Sequence, residues 1–324
     1  MERLSIIKAP IAHELSSFKE IFDSSLTGSN PLLNEVITHI RQRNGKMMRP
    51  VLVMLIARVF GEVTLSTLHA AVALELLHTA SLVHDDVVDE STQRRGQLSV
   101  NAIFNNKVAV LVGDFLLATC LVQAGKTENT EIINVISSLG RDLSEGELLQ
   151  LSNVSNPEFS EEIYFDVIRK KTAALFAACT ESAALSVGAN QEQREVARLF
   201  GEYIGICFQI KDDIFDYFDD KNIGKPTGND MMEGKLTLPV LYALNSTNEK
   251  WAKKIAFDVK SGSASAQEIA RLVAFTKQSG GIEYADKMMK EYQDKALSLL
   301  ENVSDSDIKT SLTTYLEYLV DRKK

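Results

Sequence analysis

The six prolines are Pro10, Pro31, Pro50, Pro157, Pro226 and Pro239, so residues 51–156 and 158–225 contain none. Proline removes a backbone donor and clashes with the preceding helical turn, so such stretches permit long helices. Strand patterning is weak there, because β-branched residues are scattered among Leu, Ala, Glu, Lys and Gln instead of alternating between turns. The expected fold class is all-α. Helices are predicted near 12–25, 31–43, 49–60, 66–90, 99–123, 130–151, 160–187, 191–218, 234–245, 248–258, 265–278, 281–302 and 306–322. Ser160, followed by Glu161 and Glu162, starts one of them, and Gly188 marks its end. Ala70 to Val83 and Ala173 to Val187 are apolar nearly all round, so other helices must pack about them. No Pro-, Gly- or Ser-rich linker and no short-period repeat divides the chain, and residues 1–324 are expected to form one large helical domain.

One apolar run ends in a knot of acids. Leu76 to Val83 leads through His84 into Asp85, Asp86, Asp89 and Glu90, four carboxylates in six residues. Asp212, Asp213 and Asp216 repeat the Asp-Asp-x-x-Asp spacing downstream. On a helix, Asp85 and Asp89 share a face, as do Asp212 and Asp216. Two acids on one face destabilise a helix unless a cation lies between them. Mg²⁺ suits the pattern: it takes hard oxygen ligands, keeps several waters, and often uses one or two carboxylates with substrate phosphates. Two such knots could bracket one diphosphate through shared metals. A solvated helix end is the ordinary explanation of one motif; two, each ending an apolar helix and each followed by a basic loop, point to a site.

The loop after the first knot carries Arg94, Arg95 and Gly96. Guanidinium groups hold phosphate oxygens in bidentate geometry, and the glycine lets the loop turn. Alone, such an Arg pair is a surface feature. The loop after the second knot carries Gly224, Lys225, Gly228 and, further on, Lys235, but not the spacing of a nucleoside-triphosphate-binding loop. Lys46 and Arg49 form another basic cluster. Lys171, with Thr172, lies in an otherwise apolar helix, where a charge needs an anionic partner. His78 sits two helical turns before Asp85, on nearly the same face; it either faces the site or is a neutral core histidine.

A net charge of −9 argues against a nucleic-acid partner. Cys120, Cys179 and Cys207 are widely spaced in apolar surroundings and read as buried thiols of a reducing compartment. No signal peptide is evident at the N-terminus. No uncharged apolar run reaches the roughly 18 residues of a membrane span; the longest, Val108 to Val122, is interrupted by Asp114. A cytoplasmic location is expected.

Together these residues resemble the trans-isoprenyl diphosphate synthases, the polyprenyl synthetase family. The resemblance covers roughly residues 45–245. It rests on Gly-Lys-x-x-Arg-Pro at 45–50, the acidic knot with its Arg pair, Gly113-Asp114, Lys171-Thr172, Phe208-Gln209-x-x-Asp-Asp, and Gly-Lys with the later Lys235. It implies a helical bundle of the isoprenoid synthase type around a central active-site cavity. It also implies head-to-tail condensation of isopentenyl diphosphate with an allylic prenyl diphosphate. On this resemblance Asp85, Asp86, Asp89, Asp212, Asp213 and Asp216 hold Mg²⁺, three ions per site. Arg94, Lys171 and Lys225, with Thr172, Gln209 and Lys235 nearby, neutralise the leaving diphosphate, and Lys46, Arg49, His78 and Arg95 hold isopentenyl diphosphate. The family implies a homodimer, and transient membrane contact is expected at product release. The apolar run Val108 to Val122 fits a dimer surface and core packing equally well.

A carbocation must be kept from water, so the growing chain needs an apolar tunnel. Ser81 lies one turn below Asp85, with Leu77 and Leu74 further down; by resemblance Ala80 and Ser81 help set product length. Both are small, which suggests an open tunnel and a hexaprenyl to decaprenyl product of the kind used as a quinone side chain. The alternatives are a farnesyl or geranylgeranyl diphosphate synthase, a terpene cyclase, a non-catalytic regulatory subunit, and a helical scaffold with acidic surface knots. A cyclase or regulatory subunit usually lacks one of the Asp motifs, whereas all six carboxylates are present.

Overall fold

The computed structural model describes residues 2–42, 46–94, 96–153, 156, 158–218, 227–304 and 306–322. Among them are seventeen α-helices: α1 (Glu2–Lys8), α2 (Ala12–Ser25), α3 (Pro31–Gln42), α4 (Met48–Phe60), α5 (Leu65–Val88), α6 (Val100–Phe104), α7 (Asn106–Gly125), α8 (Thr130–Ser152), α9 (Glu161–Ile168), α10 (Ala174–Ser186), α11 (Gln191–Phe215), α12 (Asn229–Met232), α13 (Leu238–Ser246), α14 (Lys250–Lys260), α15 (Ala266–Gln278), α16 (Gly281–Leu299) and α17 (Asp307–Asp321). Strands β1 (Gln93–Arg94) and β2 (Gln97–Leu98) make a minimal antiparallel hairpin, with Arg94 opposite Gln97. Gly96 sits in its turn at φ +76°, the freedom expected of it. Among the described residues the fold is all-α apart from this hairpin.

Local chemistry explains several helix ends. Thr64 caps α5 in a reciprocal box with Thr67, and the Ser160 side chain accepts from the Ile163 amide at the start of α9. Gly188 is left-handed, as expected after α10. The single helix predicted over 99–123 is instead α6 and α7. Asn105 breaks it at φ +86°, and its side chain accepts the Val108 amide. Asn tolerates positive φ and caps in one step. A second interruption lies in the predicted 160–187 helix, where Arg169–Ala173 is a π turn between α9 and α10.

The chain divides into two compact units. The first comprises residues 1–141, 175–201 and 302–315. Within it α5 is the central helix, packed by α2, α4, α6 and α7. Leu68, Ala70 to Leu74, Leu76, Leu77, Ala80 and Val83 are all buried, the consequence of an apolar surface on every side. The second comprises residues 142–174, 202–301 and 316–324. Its core is formed by α13 to α16, with Gly281 packed so tightly on Pro239 that a Cβ would lie 2.3 Å from the Pro239 oxygen.

All three cysteines are buried thiols, and burial pushes each up to about 12. Helices α5 and α7 are long and apolar enough, by length and composition, to cross a membrane. Most of the α5 window is buried inside the protein. Less of the α7 window is, and Leu111, Leu121 and Val122 stand exposed on it.

Candidate active site

The first knot closes α5 inside the first unit. Its three aspartates differ sharply. Asp85 is half-buried and Asp89, the C-cap of the helix, is exposed. Asp86 is fully buried; its Oδ1 accepts from Arg94 Nε at 2.5 Å, and its backbone oxygen accepts from Ser91 N and Asn101 Nδ2. Arg94, expected beside a diphosphate, is thus also the partner that makes the burial of Asp86 tolerable. Gly113 on α7 gives His84 its place: a Cβ there would fall 2.2 Å from His84 Nε2. That nitrogen lies 3.3 Å from the Val110 oxygen and 3.5 Å from Asp114 Oδ1.

The remaining predicted residues of this unit lie on α4 and α5 and just before α4. Lys46 is exposed, and its carbonyl accepts from Lys8 Nζ at 3.0 Å. Arg49, in the first turn of α4, lies 5.6 Å from the Phe176 ring centre, and its Nε is buried without a hydrogen-bond partner among the described residues. The Tyr315 hydroxyl donates to the Met48 oxygen and pins this turn. His78 is half-buried. Ser81 donates to the His78 oxygen at 2.9 Å, while Leu74, Leu77 and Ala80 are buried. Arg95 lies outside the described residues.

The second knot ends α11 in the second unit, and again each acid has its own surroundings. Asp212 Oδ1 accepts from Arg322 Nη2 at 2.6 Å, and that guanidinium stacks 3.9 Å from the Phe208 ring centre. Asp213 is only 3% exposed and accepts from Tyr164 and Gln209. Asp216 takes the backbone amides of Asn229 and Asp230 on its two oxygens, at 3.0 and 3.2 Å. Burial, with the charges of Asp212 and Asp216, pushes Asp213 up to about 7. Burial and the charges of Asp213 and Asp216 raise Asp230 well above the carboxylate range.

Lys171 is presented by the π turn, a geometry common at functional sites. On α8, Glu147 and Gln150 receive its ammonium, Gln150 at 3.1 Å. Gly146 beside them leaves room for the lysine stem, since a Cβ would sit 2.8 Å from Lys171 Cγ. Thr172 donates to Gln209 Oε1 at 2.7 Å. Lys235 pairs with Glu233 at 2.7 Å, and its amide donates to the Asp230 oxygen. Lys225 lies outside the described residues.

These donors fit a hard divalent cation. Every candidate ligand is a carboxylate oxygen, the donor type that such a cation takes. Among the described residues no three His, Cys, Asp or Glu side chains form a ready-made metal cage; Mg²⁺ requires only one or two protein carboxylates.

Sequence reasoning missed Tyr164, Glu147, Gln150, Asp230 and Arg322. A glycine inside the long helical stretch 130–151, followed by Glu147 and Gln150 at helical spacing, was a usable signal for the Lys171 cradle. None existed for Tyr164 or Arg322, whose partners lie far along the chain.

Residues 30–275 match the family model described as polyprenyl synthetase. A Rhodobacter capsulatus protein named all-trans-nonaprenyl-diphosphate synthase is 37% identical over 320 residues, covering 98% of this chain and 97% of that one. A solved structure named geranylgeranyl pyrophosphate synthase, from Bacteroides thetaiotaomicron, is 62% identical, with a TM-score of 0.89 over 99% of this chain and 100% of the other. Another, of a decaprenyl diphosphate synthase from Rhodobacter capsulatus, is 32% identical with a TM-score of 0.92 over 98% and 99%. With its all-α isoprenoid synthase fold and both acidic motifs intact, the chain belongs to the polyprenyl synthetase family.

Proposed function

We propose that this enzyme is a prenyltransferase that joins isopentenyl diphosphate head-to-tail to an allylic prenyl diphosphate, releasing diphosphate. The observation that carries the reading is the pair of Asp-Asp-x-x-Asp motifs, each ending a helix that a basic group serves: Arg94 at the first, Arg322 at the second. On this reading Asp85 and Asp89 at the first motif and Asp212 and Asp216 at the second would hold Mg²⁺, three ions in all. Asp86 and Asp213, both buried, would support them. Mg²⁺, when bound, would supply Lewis-acid neutralisation of the diphosphate.

The residues of the chain do the rest. Lys171, Thr172, Gln209, Lys225 and Lys235 stabilise negative charge as the allylic C–O bond ionises. Lys46, Arg49, His78 and Arg95 bind isopentenyl diphosphate, so that its double bond attacks the cation; proton loss then restores an allylic diphosphate one isoprene unit longer. What supports this role for Arg49 is its buried Nε, a donor without a hydrogen-bond partner among the described residues.

The small Ala80 and Ser81 favour a long-chain product, hexaprenyl to decaprenyl in size, as do relatives named for nonaprenyl and decaprenyl products. The 62% identity to a protein named for geranylgeranyl diphosphate favours a shorter one. Incubation with isopentenyl diphosphate, a farnesyl primer and Mg²⁺, followed by sizing of the products, separates them: accumulation at four isoprene units refutes the long-chain reading. No turnover, or turnover that survives chelation, refutes the reaction itself. The exposed apolar strip of α7 suits a homodimer, to be checked by light scattering. We place the enzyme in the cytoplasm, with product handed on at a membrane surface.

A further inference from the structure

The second acidic knot is tied to a residue outside both motifs. Tyr164 on α9 is 7% exposed, and its hydroxyl donates to Asp213 Oδ2 at 2.5 Å. The other carboxylate oxygen accepts from Gln209 Nε2 at 2.8 Å, and Gln209 accepts in turn from the Thr172 hydroxyl. Both donors to Asp213 are neutral, and no basic side chain bonds it among the described residues. An ion pair would draw such a carboxylate towards its own cation, whereas two neutral donors on opposite oxygens fix its plane. They also fix the last turn of α11, from which Asp212 and Asp216 project.

We infer that Tyr164 is a positioning residue for the second acidic motif, locking Asp213 so that the motif presents its carboxylates to Mg²⁺ and diphosphate in one geometry. This rests on the reading of that motif as a metal site. Groups that orient metal-binding carboxylates from behind typically contribute about 10- to 100-fold to metal affinity or activity. Tyr164→Phe removes one oxygen and keeps the ring that packs edge-on against Phe165.

The variant is to be read in two ways: the Mg²⁺ concentration at half-maximal turnover, and the thermal shift produced by Mg²⁺ with inorganic diphosphate, where no reaction occurs. The half-saturating Mg²⁺ concentration should rise about 10-fold, with a smaller change in kcat at saturating Mg²⁺, and the thermal shift should need correspondingly more metal. A merely structural tyrosine would lower the melting temperature of the free enzyme and leave both metal titrations in place. Asp213→Asn supplies the second arm. If Tyr164 acts through Asp213, Tyr164→Phe adds nothing to the Mg²⁺ shift in that background.

Unchanged Mg²⁺ dependence in folded Tyr164→Phe, or additive shifts in the double variant, would overturn the inference. Should the single variant fail to fold, the double variant, which removes both partners of the buried bond, is compared with Asp213→Asn alone. Asp212→Ala distinguishes the two levels of the argument. Wild-type Mg²⁺ dependence in Asp212→Ala defeats the metal reading of the motif; loss there beside an unaffected Tyr164→Phe defeats only the role of the tyrosine.

Discussion

Replacing Gly146 with alanine should separate stability from activity. The new Cβ would stand 2.8 Å from Lys171 Cγ, 2.9 Å from Lys170 Cβ and 3.2 Å from the Lys171 amide nitrogen. Carbon atoms pack at about 3.5–4.0 Å, so α8 and the π turn must move apart by about 1 Å. Two of the three contacts are at or next to the backbone, so a change of rotamer cannot relieve them. Overpacking of this kind costs about 1–3 kcal/mol, and alanine recovers about 1 kcal/mol over glycine in a helix interior. The net loss of stability is therefore about 0–2 kcal/mol. Lys171, however, is carried away from Glu147 and Gln150, and a misplacement of about 1 Å can cost about 100-fold in rate. The assay is diphosphate release at saturating substrates beside a thermal melt of the same preparation. We expect kcat to fall about 100-fold while the melting temperature drops by a few degrees. Full activity in a stable Gly146→Ala protein would refute the idea that α8 sets the position of Lys171. A loss no greater than the fraction unfolded would refute it equally.

Gly113→Ala should displace the His84 ring, lowering the thermal midpoint, and adding His84→Ala should restore it; failure of that rescue in a melt would remove the explanation of Gly113. Ala80→Phe should shorten the products seen by chromatography, and an unchanged distribution would exclude Ala80 from control of length. Glu181 is half-buried, and burial raises its carboxyl above the usual 4.5 despite Arg198. A raised acid binds its proton more tightly in the folded state, so stability is lost as pH rises through the window from the unfolded to the folded value. Glu181→Gln should therefore raise the melting temperature at pH 8 and leave it unchanged at pH 4; the opposite order would overturn the sign.

Features whose cause is local were legible in the sequence. The bounds of α2 and α3 follow from apolar periodicity and flanking loops, and Ser160 and Gly188 do at the ends of α9 and α10 what their residue types allow. The acidic knots were legible because carboxylate spacing on a helix is a one-dimensional pattern. Their internal division was not. That Asp86 and Asp213 turn inward while Asp89 faces solvent depends on Arg94, Tyr164 and Gln209, and the Tyr164 contact spans 49 residues. Arg322 reaches Asp212 across 110. No local signal specifies such partners. The Asn105 break looked like helix because asparagine is only mildly unfavourable there, and the left-handed residue is identified by its backbone, not its name.

The π turn also sets a phase. Tyr164 and Thr172 are eight residues apart, and eight residues of regular α-helix turn through about 800°, leaving two side chains about 80° out of line. A π turn takes up one additional residue, so the pair is spaced as if by seven, within about 20° of the same direction. One then meets Asp213 and the other Gln209. Straightening the turn with all eight residues kept would put Tyr164 and Thr172 about 80° apart, whereas deleting a single residue there would leave seven residues of regular helix and keep the two within about 20° of one direction. The reading frame of this helix, as much as its composition, is part of the site.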